Sequence, residues 1–313
     1  MNREHLLDGV RKTLAKTGFY LSEKTTARGL AFDVVARRDD VLLLIKVLAN
    51  VDAFSRSSAR ELRLIATTLQ GAPLLIGERS GAGPLEDGVI YSRFGVPILS
   101  KQSFLEFFEQ GVPPFIFSAP GGLYVKLNGS ALRKAREQKQ ISLGALAEVA
   151  GVSRRAIQMY LEGMSATIEI ALRLEEFIGE PLVLPMDPFV YSREAADLLT
   201  GFEEFERFER DVFTRLERLG YDVLPTVKCP FEAFTRDREV VLLTAVTSAK
   251  ERADERASVL TNLSRVVERD SVLFVERRAS RTSLRGTPLI GRDELRRIRD
   301  RAKILELIEE RKS

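Results

Sequence analysis

One segment near the middle of the chain, Ser142–Gly163, has small and apolar residues at the spacing that two helices joined by a tight turn require. Ala147 is small enough for the second helix to approach the first, and Gly151 allows the positive φ of a sharp turn. The hydroxyl of Ser153 is placed to accept a bond from an otherwise unpaired amide, so the second helix is predicted to begin at Ser153 or Arg154. The shared core is predicted to contain Leu143, Leu146, Val152, Ile157 and Tyr160.

The outward face of the second predicted helix carries Arg154, Arg155 and Gln158 near its N-terminal end. Arginine can bind guanine through two hydrogen bonds, and glutamine can bind adenine in the same way, at base edges in the major groove. Residues 130–165 contain six basic and three acidic residues, a balance that suits phosphate. The alternative is an ordinary helical hairpin with a solvated charged face. The complete set of small and apolar positions favours the nucleic-acid surface.

The residues around this pair predict a small helical domain. Leu132, Arg133 and Arg136 fit a preceding helix, and a following helix would contain Ile168, Ala171, Leu172 and Leu174. From about residue 128 to 180 the segment resembles the Cro/C1-type helix-turn-helix domain, which implies DNA binding. The predicted DNA-binding residues are Ser142, Ser153, Arg154, Arg155, Gln158, Arg133 and Lys139, with Ser142, Arg133 and Lys139 as candidates for backbone phosphates.

Length and composition predict a cytoplasmic protein of several domains. A chain of 313 residues is too long for a single ordinary core and suggests two or three domains. The residues are 44% hydrophobic and 30% charged, and no run approaches the roughly 20 apolar residues of a membrane span. The charged N-terminal residues lack the apolar core of a signal peptide. We therefore expect no membrane partner.

The charge distribution is more informative than the net charge of +3. Residues 276–303 hold nine arginines and one lysine against four acidic residues, which fits a second contact with the DNA backbone or a solvated helix face. The single cysteine, Cys229, excludes an internal disulfide and a cysteine metal cluster. The single histidine, His5, fits a helix surface better than a ligand position. No catalytic residue, metal or cofactor is predicted.

The regions on either side of the helical segment share matching residues in the same order. Four sets recur at a separation of 199 residues: Phe32-Asp33 with Phe231-Glu232, Leu42-Leu43-Leu44 with Val241-Leu242-Leu243, Leu74-Leu75-Ile76 with Leu273-Phe274-Val275, and Arg79 with Arg278. Two further pairs recur at similar separations: Gly18-Phe19 with Gly220-Tyr221, and Gly95, Pro97 and Ile98 with Gly286, Pro288 and Leu289. Short apolar strands match easily by chance, but several kinds of residue in one order do not. This pattern predicts an internal duplication.

Each copy is predicted to form a helix, strands, a second helix and a buried strand. In the first copy the helices are expected near 3–17 and 55–69, and the strands near 19–24, 30–37, 40–48 and 73–77. Continuous apolar runs such as Val41–Ile45 are typical of strands that helices cover on both faces. The predicted fold class is α/β, with two duplicated three-layer α/β domains, residues 1–112 and 191–313, flanking an all-α helix-turn-helix domain, residues 113–190.

In the first flank a predicted helix is followed by a strand hairpin that Asp33 enters. Each flank is in this respect similar to the PD-(D/E)XK nuclease and Holliday-junction-resolvase core. That resemblance implies an acid on one strand and an acid-x-Lys triplet on the next, with the carboxylates holding magnesium. Asp33 and Lys46 match the first acid and the lysine, whereas Leu44 replaces the second acid. The equivalents in the second copy are Glu232, Leu243 and Ala245.

One carboxylate and one lysine bring too few oxygen ligands to hold the metal, so neither copy is expected to be catalytic. Asp33 is then an acid at a strand end, and Lys46 a lysine that reaches solvent. Glu4, Asp8 and Glu23 are candidate substitute acids, and they leave a metal-dependent, structure-selective nuclease open as the alternative function.

The whole arrangement resembles a group of archaeal proteins described as putative HTH-type transcriptional regulatory proteins. The most specific matching parts are Gly121–Gly129, which leads into Leu132-Arg133, and the helix-turn-helix segment. The strand predicted at Tyr124–Leu127 is expected to pair with residues 182–184. The resemblance implies a double-stranded DNA-binding regulator, which we expect to act as a homodimer. A third hypothesis makes the flanks platforms that bind each other or transcription proteins.

Overall fold

The computed structural model describes residues 2–24, 29–189, 202–238, 240–248, 250–276 and 281–312. The elements before the helix-turn-helix segment are α1 (Arg3–Lys16), β1 (Tyr20–Leu21), β2 (Val34–Arg38), β3 (Val41–Asn50), α2 (Arg56–Leu69), β4 (Ala72–Ser80), β5 (Gly83–Pro84), β6 (Val89–Arg93), β7 (Val96–Ser100), α3 (Lys101–Leu105), β8 (Ile116–Ala119) and β9 (Gly122–Leu127). A 3-10 turn occupies Val51–Ala53 and a π-helical turn Glu106–Gln110.

The remaining elements follow in two groups. The helix-turn-helix region contains α4 (Gly129–Gln138), α5 (Leu143–Ala150), α6 (Arg154–Leu161), β10 (Ala166–Thr167), α7 (Ile168–Ile178) and β11 (Val183–Leu184). The C-terminal region contains α8 (Arg207–Arg218), β12 (Asp222–Pro225), β13 (Ala233–Asp237), β14 (Val240–Thr247), α9 (Lys250–Val267), β15 (Ser271–Val275), β16 (Ser283–Leu284), β17 (Thr287–Gly291), α10 (Arg292–Arg297) and α11 (Ala302–Arg311).

The predicted elements of the first flank are all present, and the boundaries of its strands differ most. The strand expected near 19–24 is only Tyr20–Leu21, and the strand expected near 30–37 begins at Val34. The domain boundary predicted near residue 190 lies outside the described residues, as does Arg278.

The chain divides into two compact units that are not continuous in sequence. The first unit contains Met1–Thr13, Leu48–Ala53 and Leu74–Arg193, and the second contains Leu14–Val47, Phe54–Pro73 and Glu194–Ser313. The helix-turn-helix region therefore belongs to the first unit. The strand hairpin with Asp33 and the whole C-terminal region belong to the second unit.

In the first unit a mixed sheet carries the chain into the helix-turn-helix region. Strand β4 pairs in parallel with β7, β7 pairs antiparallel with β6, and β6 pairs in parallel with β8. Strand β8 pairs antiparallel with β9, which also pairs with β10 and β11. In this way the sheet continues along β9 to the beginning of α4.

The expected pairing of β9 with residues 182–184 is confirmed, because Val183 lies opposite Leu127 and Leu184 opposite Lys126. The prediction of an all-α central domain is wrong. Strands β9, β10 and β11 tie the two ends of the helical segment together, and the hydrogen bonds between them pair the backbone groups of these non-helical segments. Val125 and Leu127 of β9 are buried in the same core as the helices.

In the second unit the two strand hairpins have the same register. Val34 of β2 lies opposite Ile45 of β3, and Ala233 of β13 lies opposite Thr244 of β14. Both members of the second pair follow those of the first by 199 residues. Beyond β14 the sheet continues in parallel through β15 and β17, as β4 and β7 do in the first unit. The two flanks thus share strand order and pairing direction in these parts.

Each region has its own apolar core. The helix-turn-helix core is built from β9 and α4–α7, with Leu132, Leu146, Ile157 and Leu174 fully buried. The C-terminal core includes Phe213 of α8, with helices α8 and α11 contributing side chains to the same cluster. At about 25 cal/mol per Å² of buried apolar surface, such cores are the main stabilising term.

Candidate nucleic-acid interface

Three side-chain caps define where the helices of the central region begin. Asn128 Oδ1 accepts from the amide of Ala131 at 3.0 Å, and Ser142 Oγ accepts from the amide of Ala145 at 3.0 Å. Ser153 Oγ caps α6 by accepting from the amide of Ala156 at 3.2 Å. These bonds satisfy amides that the first helical turn leaves unpaired. The predicted start of the second helix is therefore confirmed.

The turn between α5 and α6 has the predicted backbone conformation. Gly151 ends α5 with φ of 69°, in the left-handed region that favours glycine. Leu146, Ile157 and Tyr160 are buried as expected, whereas Leu143 and Val152 pack against that core while only partly buried. The turn and the core together fix the angle at which α6 leaves α5.

The predicted helix with Ile168, Ala171, Leu172 and Leu174 is confirmed as α7, and Leu172 lies on its outer face with a side chain that is 58% exposed. Helix α7 turns Ala171, Leu174 and Ile178 toward the core, at the three- and four-residue spacing of one helix face. Leu172 is one residue, or about 100°, away from Ala171 around the helix, and therefore lies on another face.

Helix α6 exposes the three predicted base-contacting side chains. Arg154, Arg155 and Gln158 are all exposed. Gln158 follows Arg155 by three residues and Arg154 by four, so the three share one face of the helix. With Ser153 at the cap, this face begins at the N-terminal end of α6. The resulting surface offers two guanidinium groups and one carboxamide.

The structure brings Ser142 and Arg154 together over α5. A Cβ atom on Gly144 would lie 3.3 Å from Arg154 Nη2 and 3.6 Å from Ser142 Oγ. The absence of a side chain at Gly144 therefore lets the guanidinium of Arg154 lie against the beginning of α5. The N-terminal ends of α5 and α6, both positive ends of helix dipoles, thus lie beside this guanidinium.

Arg133 and Lys139 are held at other helix ends. Arg133 Nη2 donates to the carbonyl of Leu161 at 3.3 Å, at the C-terminal end of α6. Lys139 Nζ donates to the carbonyl of Ile178, at the C-terminal end of α7. Cations are favourable at both positions because they complete the last helical turn. Their contact with backbone phosphates stays a prediction.

Sequence reasoning missed the role of Gly129, the first residue of α4. A Cβ atom there would lie 2.5 Å from the carbonyl oxygen of Leu161 and 2.7 Å from that of Tyr160. The start of α4 therefore packs directly on the backbone that ends α6. The Asn-Gly-Ser sequence at a helix start was the available signal, because glycine is uncommon inside helices unless the backbone approaches a neighbour.

We expect Gly129→Ala to destabilise the helix-turn-helix region by about 1–3 kcal/mol, because the added methyl group meets fixed backbone. Thermal and urea unfolding of the full chain would measure the change. Gly144→Ala is the matched control, since its methyl group would meet side chains and no backbone: the movable end of Arg154 and, at ordinary contact distance, the hydroxyl of Ser142. Equal stability of the two variants would contradict the close approach of α4 to α6.

The strand hairpin of the second unit places Asp33 beside Lys46. Asp33 Oδ1 lies 3.2 Å from Lys46 Nζ, and Oδ2 accepts from the amide of Val47 at 2.8 Å. Lys46 also donates to the carbonyl of Leu30 at 2.6 Å and is only 9% exposed. The expectation of a solvent-reaching lysine is therefore wrong. Lys46 points inward because the carboxylate and the carbonyl together compensate its buried charge.

Glu232 occupies the equivalent position in the C-terminal flank. Its Oε2 accepts from the amide of Val246 at 2.7 Å, and its Oε1 pairs with the guanidinium of Arg256 on α9. Burial raises the pKa of Glu232, while Arg256 and the Val246 amide oppose that shift. Each flank thus has a carboxylate that accepts from the amide at the equivalent strand position, Val47 or Val246. The paired cation comes from strand β3 in the first flank and from helix α9 in the second.

The residues present do not fit the magnesium site that the nuclease-like fold implies. Both oxygens of Asp33 are engaged by Lys46 and Val47, and the position of the second acid is held by Leu44, which is fully buried. Of the candidate substitutes, Glu4 and Asp8 lie in α1 and Glu23 follows β1. Among the described residues, no group of three or more acidic, histidine or cysteine side chains is arranged to hold a metal ion.

The two flanks contact each other inside the second unit through these same positions. Leu44 and its counterpart Leu243 both line one small apolar cavity. The other side chains around it are Phe32, Val35, Ile65, Leu69, Phe231, Leu263 and Val267. The site where the nuclease motif would hold its second acid is therefore part of an apolar contact between the flanks.

A polar contact lies beside this apolar one. The carboxylate of Glu61, on α2, accepts from the amide of Lys228 at 2.5 Å. Lys228 Nζ donates to the hydroxyls of Ser57 and Ser58 at 2.8 and 2.9 Å. Burial raises the pKa of Glu61, while hydrogen bonds from the 227–229 loop oppose that shift. The loop between β12 and β13 is thus anchored to α2 by charge-assisted hydrogen bonds.

Comparison with known families matches two parts of the chain. Residues 3–114 match the PD-(D/E)XK superfamily domain, and residues 132–184 match a helix-turn-helix domain. No solved structure matches the chain. Fold and site together define a helix-turn-helix protein with a nuclease-like N-terminal domain.

Comparison with individual proteins gives matches along the whole chain. A protein of Methanocella arvoryzae is 38% identical over 312 residues, covering 98% of this chain and 96% of its own. A protein of Methanosarcina acetivorans is 36% identical over 322 residues, covering 100% and 98%. A protein of Natronomonas pharaonis is 38% identical over 315 residues, covering 99% of each chain. All three are described as a putative HTH-type transcriptional regulatory protein, and this chain belongs to that archaeal family.

No helix among the described residues combines the length and apolar character that crossing a bilayer requires.

Proposed function

We propose that the protein is a transcriptional regulator that binds double-stranded DNA sequence-specifically through a Cro/C1-type helix-turn-helix. The observation that carries this proposal is the exposed face of α6, where Arg154, Arg155 and Gln158 lie together at the capped N-terminal end. In the docking geometry of this motif, the N-terminal residues of the second helix contact base edges in the major groove. The names of the relatives support the regulatory role.

Each predicted contact residue has a place in this docking. Arg154, Arg155 and Gln158 contact base edges. Ser142 and Ser153 bring the N-terminal ends of α5 and α6 to the phosphate backbone of the DNA. Arg133 and Lys139 are exposed, so their N–H groups that do not bond the Leu161 and Ile178 carbonyls are available to phosphates. We further propose a homodimer on a two-fold site, because one α6 reads only a few base pairs.

The direct test is selection of binding sites from a random duplex library with the full-length protein. We expect enrichment of a short motif, repeated with two-fold symmetry at a spacing near one helical turn. Recovery of DNA fragments bound in cells would then identify the targets. Enrichment of no motif, with binding equal for all duplexes, would reject sequence-specific recognition.

Gln158→Ala is expected to relax base preference at one position of the selected site, because the carboxamide that pairs with adenine is lost. The expected loss for the preferred duplex is about 1–3 kcal/mol. Gel-shift titrations with duplexes that vary at single positions would measure both effects. Gln138→Ala, at an exposed position on α4, is the matched control. An unchanged preference at every position would remove Gln158 from the base-reading set.

A second candidate function is a metal-dependent, structure-selective nuclease that the helix-turn-helix targets to DNA. The observation in its favour is the PD-(D/E)XK match over residues 3–114. The test incubates the protein with magnesium or manganese and nicked, branched and linear DNA, in parallel with Asp33→Ala. We expect no cleavage by either protein, because Leu44 and the engaged oxygens of Asp33 leave too few ligands. Cleavage that Asp33→Ala abolishes would establish the enzyme instead.

We also propose that the two flanks are copies of one nuclease-type unit, with the domains divided near residues 112 and 190. The equal hairpin register and the 199-residue spacing of Asp33 and Glu232 support this. In this proposal the flanks serve as a scaffold that pairs internally and has no hydrolytic role. Pull-down of transcription proteins with the full chain would test the further hypothesis that the scaffold also binds the transcription machinery.

A further inference from the structure

A second concentration of arginine side chains lies in the second unit, in a cleft between α8 and α10. The cleft has a volume of about 360 Å³, and Phe208, Val212 and Leu295 give it an apolar floor. Five arginines line it against one acidic residue, Asp211. These arginines are Arg210, Arg215 and Arg218 of α8 and Arg292 and Arg296 of α10. We refer to it below as the arginine cleft.

Two of these guanidinium groups are held in place by the protein. Arg215 donates to the carbonyls of Ile298 and Arg296, the latter at 3.4 Å. Arg292 pairs with Asp211 at 2.8 Å and with Glu276 at 3.2 Å. In both arginines the Nε–H is buried and has no acceptor within the described part of the chain. Both guanidinium groups are therefore held at the cleft by contacts within the protein, and their buried Nε–H groups are not among the donors that a ligand in the cleft could reach.

The other three arginines form the open edge of the cleft. Arg210, Arg218 and Arg296 are exposed, and their side chains make no hydrogen bond or ion pair with the residues that the structure describes. Like charges so arranged repel one another, and among the described residues Asp211 is the one acidic side chain that lines the cleft to compensate them. An anion in the cleft would remove that repulsion.

We propose that the arginine cleft binds a phosphate-bearing anion. The planar guanidinium group matches phosphate oxygens through two parallel hydrogen bonds, which the ammonium of lysine cannot make. The volume lies at the lower end of the range for small-ligand pockets, and the apolar floor fits a ligand with a phosphate and an apolar part. The same chemistry is offered by a free phosphorylated molecule and by the phosphodiester backbone of DNA.

The experiment uses the full chain and titrates inorganic pyrophosphate and ATP by calorimetry at low salt. Arg218→Gln/Arg296→Gln removes two arginines from the edge of the cleft, where both are exposed and unpaired within the described residues. The matched control is Arg297→Gln/Arg299→Gln, which removes equal charge from exposed positions that do not line the cleft. We expect the cleft variant to lose at least about tenfold in anion affinity and the control to lose less than about twofold.

A second arm measures duplex DNA affinity against salt concentration for the same three proteins. If the ligand is the DNA backbone, the cleft variant binds duplex more weakly. The slope of log affinity against log salt concentration then falls in magnitude by about two, one for each lost arginine. If the ligand is a free molecule, pyrophosphate or ATP affinity falls while the DNA slope is unchanged. The proposal is overturned if the control loses as much as the cleft variant, or if neither anions nor DNA distinguish the proteins.

This inference does not depend on DNA binding by α6. The pyrophosphate titration reports the arginine cleft alone, whereas the selection experiment and Gln158→Ala report α6 alone. If the cleft experiments fail, the α6 experiments can still be interpreted, and the reverse also holds.

Discussion

Arg155→Glu should abolish specific DNA binding while the protein remains folded. Arg155 is the second residue of α6 and is exposed, so the substitution removes no core contact. A carboxylate in the first turn of a helix interacts favourably with the helix dipole, so we expect thermal stability to be unchanged or slightly higher. Loss of binding could not then be explained by unfolding.

The expected loss of affinity combines two effects. A paired arginine–guanine contact contributes about 1–3 kcal/mol, and the new carboxylate is repelled by the phosphates around the groove. Together they predict at least about a hundredfold weaker binding, equivalent to about 2.7 kcal/mol. Gel-shift titration with the selected duplex would measure it.

Lys126→Glu is the matched control for this substitution. It makes the same charge change at an exposed position of β9, on a strand instead of on α6. We expect it to weaken binding by only a small, salt-dependent factor through general electrostatics. If Arg155→Glu retained wild-type affinity, or if both variants lost equal affinity, docking through the N-terminal end of α6 would be incorrect.

Leu44→Asp should strongly destabilise the second unit instead of restoring a nuclease site. Leu44 is fully buried on β3, opposite Val35, and lines the apolar cavity that the two flanks share. Truncating a buried leucine costs about 2–5 kcal/mol through lost contacts and the resulting cavity. A carboxyl group placed there also loses hydration without gaining a partner. We expect a decrease of at least about 3 kcal/mol in the free energy of unfolding.

Two control variants separate the effect of the lost leucine volume from the effect of the buried carboxyl group. Leu44→Ala removes volume without adding a carboxyl group, so it should be less destabilising than Leu44→Asp. Val41→Asp places the same residue at the exposed start of the same strand, where substitutions usually change stability by about 0.5 kcal/mol or less. Urea unfolding of the full chain would rank the three proteins.

Magnesium provides the decisive comparison for Leu44→Asp. If the position remains an apolar contact between the flanks, magnesium neither raises the unfolding temperature of the variant nor supports DNA cleavage. If the motif is only one carboxylate short of function, magnesium would stabilise the variant, since ligands that bind the folded state raise apparent stability. That second outcome would show that the nuclease site is latent, and that our account of the interface is wrong.

Local signals in the sequence predicted the central region well. Gly151 and Ser153 specify one turn and one helix start, through one backbone angle and through a bond to an amide three residues away. Such interactions depend on few neighbours, so they can be inferred without the rest of the fold. The spacing of Phe32 and Phe231 likewise indicated two hairpins that share one register.

Predictions about side-chain surroundings were less successful. Lys46 was expected to reach solvent, but Asp33 and the Leu30 carbonyl draw it inward. Lys46 was assigned from its type alone, while its position depends on which neighbouring groups surround it.

The sequence alone determined the helix-turn-helix, its exposed arginine and glutamine face, and the replacement of a nuclease acid by Leu44, because each depends on residues close together in the chain. Only the tertiary structure decided that Leu44 and Leu243 line one cavity, and that arginines of α8 and α10 face a common cleft. These groups come from segments far apart in sequence, and burial and charge compensation depend on which surfaces meet when the chain folds.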